Sequence, residues 1–581
     1  MHMKSASILR KALVCALMAA TSLSPVLALL PAMAASTTGT TTPIQHVVVL
    51  FQENVSFDHY FGTYPNAANN SGETTYTGVA APAFTAKNNT PTVNGLTPAL
   101  LTQNPNKDTN GNIANPFRFL PSQAYTCSMN HSYGPEQAAA DKGLMDQYPQ
   151  NNNNRGNGCD PAGSTVMGYY DGNLVTAYWA YAQHYALSDN SYGTNFGPSS
   201  PGAINLVSGN TYGGQLPLGT SSGSAFDPGN TTSETDVSLL NDLDAYLDDC
   251  GGDKGGTVHT ATLQMTGKNV GDLLNAKNVT WGWFQGGFAP TTAATFDGQG
   301  NMLTPAVCAA SHTGHQVVVN GTTYTVPEPT INHTGEIHTA VTDYSSHHAP
   351  FMYYPNTRNP HHLRPTSVAA IGTTDQANHN YDTSDFFASL ANGTLPAVSF
   401  IKAPAYQDGH PGNSDPLVEQ AWIASAINAI QQSSSWASTA IIIAYDDSDG
   451  WYDHAVPSNV RQSTIAGQDA LTGSGACGPT ATGGVQGRCG FGPRLPMIVV
   501  SPYAKTNYVD HTLTDQSSII AFVEKNWNLG FIDGPTAPTY GSGSTDRYAG
   551  AIDGMFDFVD APNTRQLQLD PVKGTIVGKA W

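Results

Sequence analysis

Four short apolar runs, rich in β-branched residues, constrain the fold of this chain more than any other feature. They are "IQHVVVLFQEN" from residue 44, "LPAVSFIKAP" from 395, "STAIIIAYDD" from 438 and "RLPMIVVSPYAK" from 494. Runs that are apolar at successive positions are typical of parallel strands covered on both faces. Helical patterns, "DPLVEQAWIASAINAIQQSS" and "TDQSSIIAFVEKNWNL", lie between and after them. This alternation predicts an α/β fold with a mostly parallel central sheet and helices on both faces.

The N-terminus has the pattern of a signal peptide, residues 1–34. Lys4, Arg10 and Lys11 precede a long apolar stretch, and "AMA" at Ala34 is a small-residue cleavage site. A retained membrane anchor is the alternative, but Pro25 interrupts the apolar stretch. No later segment reaches the roughly 20 apolar residues of a membrane span. We therefore expect a secreted or periplasmic protein with no transmembrane segment in the mature chain.

The rest of the chain, residues 35–581, reads as one domain with a core at about 45–530. Stretches rich in Gly, Asn and Thr at 65–120, 140–165, 210–235 and 285–345 predict loop-rich insertions. The formal net charge is −20, from 43 acids and 23 bases. Because phosphate backbones need a basic surface, nucleic-acid binding is excluded as the main function. An anionic substrate would need positive groups concentrated at its site.

The cysteines that remain after removal of the signal peptide are Cys127, Cys159, Cys250, Cys308, Cys477 and Cys489. An even count in an exported chain predicts disulfides. Pairing in sequence order, 127–159, 250–308 and 477–489, is the simplest of about fifteen connectivities. Zinc binding is the alternative, although no CxxC spacing occurs.

Polar residues follow the predicted strands at their carboxyl ends, where α/β proteins bind ligands. Glu53 and Asn54 follow the first run, Asp446 and Asp447 follow the third, and His410 comes after the second. Oxygen ligands from two strand ends can hold one divalent cation, whose identity the sequence leaves open. The alternative is that Asp446 and Asp447 cap a helix or lie in a solvated turn.

Two other segments offer reactive groups. "NFGPSSPGAINLVSG" places Ser199 and Ser200 in a turn before a predicted helix, where a serine is either a nucleophile or an N-cap. The pairs His347–His348 and His361–His362 are weaker signals, and each pair taken alone is more typical of a surface feature. No Walker A or HExxH motif is present.

An ordered set of segments resembles the bacterial phospholipase C/acid phosphatase family, whose fold is related to alkaline phosphatase. The segments include "QENVSFDHYFG", "NFGPSSPGAINLVSG", "LNDLDAYLDDC", "HHAPFMYY", "FIKAPAYQDGHPGNSD" and "AYDDSDGWYDH". They span about residues 45–530. The resemblance implies phosphate-ester hydrolysis through a serine nucleophile and a phosphoserine intermediate, with one divalent metal ion.

The resemblance also implies roles for individual residues. Metal ligands fall on Glu53, Asn54, Ser199, Asp446 and Asp447, with Ser199 as the nucleophile and Ser200 as a minor alternative. Histidines that hold phosphate or protonate the leaving group fall on His131, His347, His348 and His410. Histidine pKa values near 6.5 would favour activity at mildly acidic pH.

The implied substrates are phospholipids or phosphomonoesters. The aromatic segments "WGWFQGGF" and "FMYYP" would either line a pocket for a quaternary ammonium group or pack in the core. A binding protein of the same fold that has lost turnover is an alternative function. Sulfate-ester hydrolysis is disfavoured because "SSPGA" lacks the arginine of the sulfatase motif.

Overall fold

The computed structural model describes residues 39–76, 78–154, 163–215, 237–251, 262–308, 316–319, 322–325, 343–462, 469–473, 475–478, 485–486, 488–534 and 543–577. Residues 40–581 form one compact unit, and of residues 1–39 the structure describes Gly39 alone. The predicted signal peptide thus lies outside the described residues. Within the described part of the chain, no helix has both the length and the apolar character needed to cross a membrane.

The centre of the fold is an eight-stranded sheet. Its strands are β1 (His46–Gln52), β2 (Ala186–Ser188), β3 (Trp281–Gln285), β4 (Asn380–Asp382), β5 (Val398–Lys402), β6 (Thr439–Tyr445), β7 (Met497–Val500) and β8 (Tyr508–Asp510). Their spatial order is β4–β3–β5–β1–β6–β7–β2–β8. The strands β4, β3, β5, β1 and β6 pair in parallel.

All four apolar runs are strands of this sheet, which confirms the predicted α/β class. The prediction of a parallel strand is wrong for the fourth run, because β7 runs antiparallel to both β6 and β2. The four residues of β7 are buried, as in the parallel strands. Burial on both faces produces the same apolar run whichever way a strand points, so the pattern carries no direction.

The helices are α1 (Phe57–Phe61), α2 (Pro98–Thr102), α3 (Tyr133–Ala140), α4 (Tyr148–Asn151), α5 (Thr176–His184), α6 (Ser199–Ser208), α7 (Val270–Ala276), α8 (Thr383–Ala391), α9 (Pro416–Gln432) and α10 (Ser517–Trp527). The two helical patterns of the sequence correspond to α9 and α10. Asp415 begins α9 by accepting the backbone N–H groups of Leu417 and Val418. Pro416 follows at the first position, where a missing N–H costs nothing.

Successive side chains of β1 enter two separate cores, because side chains alternate between the faces of a strand. Val48 packs in one core together with Ile423 of α9, and Val49 packs in the other together with Ile520 of α10 and Leu206 of α6. Helices therefore cover both faces of the sheet, as predicted.

Short strands form small sheets outside the centre. They are Phe117–Arg118 with Gly168–Tyr169, Ser191–Tyr192 with Thr514–Asp515, Thr295–Phe296 with Met302–Thr304, Gln316–Val319 with Thr322–Thr325, Arg461–Gln462 with Val485–Gln486, and the set Tyr212–Gln215, Val237–Ser238, Asp244–Ala245 and Thr262–Met265.

The disulfides Cys250–Cys308 and Cys477–Cys489 are present, as the pairing in sequence order predicts. Cys127 is also disulfide-bonded, while Cys159, its predicted partner, lies outside the described residues.

Candidate active site

Three neighbouring parallel strands deliver charged side chains to one edge of the sheet. Glu53 follows β1, Asp446 follows β6, and Lys402 is the last residue of β5. All three side chains are buried. Because β5, β1 and β6 are adjacent and point the same way, their carboxyl ends meet, and the predicted site lies there.

Ser199 is the first residue of α6, and its hydroxyl faces two acids. Its Oγ lies 2.9 Å from Oδ2 of Asp447 and 3.2 Å from Oε2 of Glu53. A serine hydroxyl carries a single hydrogen, so it can donate to only one of these carboxylates at a time. The contact of Ser199 Oγ with the second carboxylate is favourable only if a cation or a further proton lies between these oxygens.

Ser200 faces a different direction. Its Oγ lies 3.1 Å from Oδ1 of Asp242 and 3.2 Å from the carbonyl oxygen of His347. The N-cap interpretation of Ser199 is wrong, because Pro198 occupies that position. Close packing brings α6 to the acidic loop, since a Cβ on Gly202 would lie 2.1 Å from the carbonyl oxygen of Asp446.

The acids of the site are crowded and buried. Burial and then repulsion by Asp446 raise the pKa of Asp447 well above its usual value. Burial and then repulsion by Glu53 raise the pKa of Asp446 and, more strongly, that of Asp408. Burial would also raise the pKa of Glu53, but Lys402 and His410 outweigh it and the net shift is downward. The cluster holds more negative charge than its surroundings neutralise.

Lys402 is the buried cation of this cluster. Its Nζ contacts Oε1 of Glu53 and lies 3.4 Å from Oδ2 of Asp446. Burial lowers its pKa, but these two acids and Asp408 outweigh it, so the pKa rises above its usual value and the side chain stays charged. One ammonium neutralises one carboxylate and leaves room for a second cation among the others.

Asn54 completes a set of oxygen donors that suits a divalent ion. Its Nδ2 donates to Oδ1 of Asp449, 3.0 Å away, which fixes the amide, and its Oδ1 is buried with no hydrogen-bond partner. A buried amide oxygen without a partner is costly unless a ligand satisfies it. With Glu53, Asp446 and Asp447 it forms the hard oxygen set that divalent cations prefer. The predicted ligands therefore fit a metal ion. The predicted helix cap does not occur, since no helix begins within residues 446–460.

His347 and His348 flank Glu53. Nδ1 of His348 lies 2.6 Å from Oε1 of Glu53, and its Nε2 is buried without a hydrogen-bond partner. Burial and then the neighbouring charge of His347 hold the pKa of His348 well below its usual value. Burial also lowers the pKa of His347, but Asp242 and Asp244 outweigh it and raise this pKa to about 8. The pair thus offers one neutral and one charged imidazole.

His131 and His410 lie near one another, with ring centroids 6.2 Å apart. Nδ1 of His131 lies 3.1 Å from Oδ1 of Asp449. Burial lowers the pKa of His131, but Asp447 and Asp449 outweigh it and raise this pKa well above its usual value. The backbone N–H of His410 donates to Asp408. The expectation that histidine pKa values stay near 6.5 is therefore wrong for His131, His347 and His348.

Neighbouring contacts link every residue predicted for the site to the same cluster. His347 contacts His348, which contacts Glu53, and Ser199 joins Glu53 to Asp447. Asp449 contacts Asp447, Asn54 and His131, and His131 lies beside His410. Lys402 joins Asp446 to Glu53. Sequence reasoning missed Lys402, Asp408, Asp449 and Asp242. A charged residue closing the apolar run "VSFIK" was the available signal for Lys402.

The aromatic segments are core, not a binding pocket. Trp281, Trp283, Phe288, Phe351 and Tyr353 are all fully buried or nearly so. The rings of Trp281 and Phe351 pack 4.6 Å apart. The core interpretation of "WGWFQGGF" and "FMYYP" is confirmed, and the aromatic pocket is wrong for these residues.

Comparison with known proteins matches most of the chain to one family. The model described as "Phosphoesterase family" matches residues 44–530. The non-hemolytic phospholipase C of Burkholderia pseudomallei is 35% identical over 24% of this chain and 20% of its own length. The hemolytic phospholipase C of Pseudomonas aeruginosa is 23% identical over 91% of this chain and 58% of its own. The non-specific phospholipase C6 of Arabidopsis thaliana is 30% identical over 26% of this chain and 30% of its own. The chain thus spans less than two thirds of each of these relatives.

Proposed function

The chain belongs to the phosphoesterase family, and on that premise we propose that it is a secreted, metal-dependent hydrolase of phosphate esters with Ser199 as its nucleophile. The observation that carries the proposal is the Ser199 hydroxyl, which lies within 3.2 Å of both Glu53 and Asp447. A serine becomes nucleophilic when a base or a cation lowers its pKa. This position offers Asp447 as the base and oxygen ligands that would hold a cation.

Glu53, Asn54, Asp446 and Asp447 would hold one divalent ion, together with the Ser199 oxygen. When bound, the ion supplies Lewis-acid stabilisation of the negative charge that develops on the serine and phosphoryl oxygens. Oxygen ligands admit calcium, magnesium, manganese, iron or zinc. Asp449 supports the set by holding the amide nitrogen of Asn54, which leaves the buried carbonyl oxygen of that amide without a hydrogen-bond partner.

The residues of the chain carry the covalent and proton-transfer steps. Ser199 Oγ attacks phosphorus while its proton passes to Asp447, 2.9 Å away. The bond from phosphorus to the leaving oxygen breaks, and that oxygen takes a proton from His131 or His410. Water then attacks the phosphorus of the resulting phosphoserine and gives its proton to the same histidine. The bond from phosphorus to Ser199 Oγ breaks, and Oγ takes back the proton held by Asp447. The positive end of the α6 dipole, where Ser199 lies, favours the negative charge of the phosphoryl group.

Charge at the site opposes the repulsion that a strongly acidic protein exerts on an anionic substrate. His347, whose pKa is raised to about 8, is charged at neutral pH. His131 is also held in its charged form by Asp447 and Asp449. These two imidazolium groups would bind the phosphoryl oxygens, as a second metal ion does in two-metal phosphatases.

The relatives named above favour phospholipids over phosphomonoesters as substrates, so phospholipase C activity is the first candidate and acid phosphatase activity the second. Export fits the disulfides Cys250–Cys308 and Cys477–Cys489, since oxidising compartments preserve such bonds. We take residues 35–581 as one domain that acts after removal of residues 1–34.

The test compares wild type with Ser199→Ala and the matched control Ser200→Ala. The substrates are phosphatidylcholine, bis-p-nitrophenyl phosphate and p-nitrophenyl phosphate, assayed before and after chelation with add-back of single metals. We expect activity in wild type and Ser200→Ala, loss in Ser199→Ala, loss on chelation and recovery with one metal. The substrate ranking separates the two activities.

Other outcomes contradict parts of the proposal. Activity retained by Ser199→Ala and lost by Ser200→Ala would move the nucleophile to Ser200. Inactive wild-type protein that is folded and metal-loaded would favour the binding-protein alternative.

A further inference from the structure

Helix α3 contacts both the turn that precedes Ser199 and the loop that carries Asp447. His131 precedes the helix by two residues, and Glu136 lies in its first turn. Glu136 is only 3% exposed to solvent, and the predicted chemistry does not use it. A buried carboxylate retained beside a reactive site needs partners, and the identity of those partners suggests its role.

Each carboxylate oxygen of Glu136 binds a different loop. Oε2 accepts the backbone N–H of Gly197 at 2.8 Å, two residues before Ser199. Oε1 accepts the hydroxyl of Ser448 at 2.6 Å, one residue after Asp447. One side chain therefore ties the backbone of the nucleophile turn to the loop of the acid that faces the nucleophile.

The Ser199–Asp447 contact spans the same two loops. Its length of 2.9 Å depends on how closely those loops approach one another. The hydroxyl of Ser448 also accepts the backbone N–H of Gly450, so Glu136 acts on a loop that is itself held in shape. Hydrogen bonds to a carboxylate are stronger than bonds between neutral groups, which suits a clamp of this kind.

The next residue of α3 provides a comparison. Gln137 is fully buried, and its Oε1 accepts the backbone N–H groups of Ala470 and Leu471, outside the site. Gln137 thus anchors the same helix with two hydrogen bonds of its own. A substitution at Gln137 loosens α3 and leaves both contacts of Glu136 in place.

We propose that Glu136 is a positioning residue that sets the distance between Ser199 and Asp447 by bridging Gly197 and Ser448. It acts through these neighbours and contacts no reacting atom. This inference rests on the proposed function, because it gives Ser199 and Asp447 their roles in phosphate-ester hydrolysis.

The experiment compares Glu136→Ala, Glu136→Gln and the control Gln137→Ala with wild type. The readouts are kcat and KM on bis-p-nitrophenyl phosphate, the thermal midpoint, and the Kd for manganese, one of the ions that oxygen ligands admit, from calorimetry. For Glu136→Ala we expect kcat to fall by about a hundredfold, the usual effect of an ångström-scale misplacement, while KM changes by less than about threefold. Glutamine keeps one acceptor and a group of the same size, and the Ser448 hydroxyl can turn to accept from it, so Glu136→Gln should recover most of kcat.

Two outcomes would overturn the inference. One is a kcat for Glu136→Ala within about threefold of wild type. The other is a loss of kcat in Gln137→Ala as large as that in Glu136→Ala, with similar thermal midpoints for the two variants. Glu136 would then act only as an anchor of α3. Inactive wild type would instead count against the proposed function. The role of Glu136 would then be judged by the metal Kd. This Kd should rise in Glu136→Ala, because the Asp447 loop is released, and should stay at the wild-type value in Gln137→Ala.

Discussion

Replacing Arg494 should disturb the scaffold beneath the site more than replacing any exposed cation. Arg494 is fully buried. It donates to Asp58 at 3.0 Å, to Asp453 at 3.1 and 3.2 Å, and to the carbonyl oxygens of Asn94 and Asp189 at 2.7 and 3.0 Å. Asp58 and Asp453 belong to the segments that follow the two pairs of predicted metal ligands. Arg494 therefore joins the segment after Glu53 and Asn54 to the segment after Asp446 and Asp447.

The expected magnitude follows from this burial. Arg494→Met preserves most of the volume but leaves the buried carboxylate of Asp453 without its cation and Asp58 with His454 alone. Breaking a buried pair in this way costs about 3–5 kcal/mol. Unfolding entropy is about 2.1 cal/mol/K per residue, which gives roughly 1 kcal/mol/K for a unit of this size. The unfolding midpoint should therefore fall by about 3–5 °C. Arg494→Lys keeps the charge but lacks the guanidinium fork, so we expect an intermediate decrease.

The control is Arg364→Met, which removes the same charge from an exposed ion pair. Arg364 lies 2.6 Å from Asp385, and its side chain is 42% exposed. Such surface pairs contribute less than about 1 kcal/mol. Differential scanning calorimetry of both variants at fixed pH and metal concentration measures the difference. Equal midpoints for Arg494→Met and Arg364→Met would refute the reasoning.

Three further predictions concern charge and covalent constraint. Burial raises the pKa of Glu419 from 4.5 to about 7. As pH rises through that interval, wild type should therefore lose about 3 kcal/mol more stability than Glu419→Gln, in which the other buried acids still titrate. Urea unfolding of both proteins at about pH 5 and about pH 8 measures this difference. The raised pKa of His347, about 8, predicts that kcat/KM falls above that pH as the imidazolium loses its proton. His347→Asn should lower kcat/KM and remove this alkaline fall from the pH profile. An unchanged pH profile would contradict the role of His347 in binding the phosphoryl group. Replacing Cys250 and Cys308 together by serine opens a loop of 58 residues. The free energy of unfolding, measured in urea, should fall by about 4 kcal/mol. A decrease below about 1 kcal/mol would show that other contacts hold the loop.

Much of the fold was determined by local pattern. Two-sided burial makes a strand apolar along its whole length, so β1, β5, β6 and β7 could be located directly from the sequence. Asp415 and Pro416 likewise mark the start of α9, because capping depends on neighbouring residues alone. The direction of β7 could not be read in this way, since an apolar run has the same appearance in either orientation.

The sequence by itself also determined which residue types the chemistry needs. Glu53, Asn54, Asp446 and Asp447 stand at strand ends, and the segment around Ser199 matches a known family pattern. Their meeting follows from the parallel strands, which bring distant carboxyl ends to one edge of the sheet.

Only the tertiary structure decided how the site works in detail. It distinguished Ser199 from Ser200 by the direction of the hydroxyl, and it brought Lys402, Asp449 and Glu136 into the site. It also separated the histidine pKa values, because the pKa of each ring depends on its own burial and on the acids around it. These are contacts between residues far apart in the chain, and no local pattern records them.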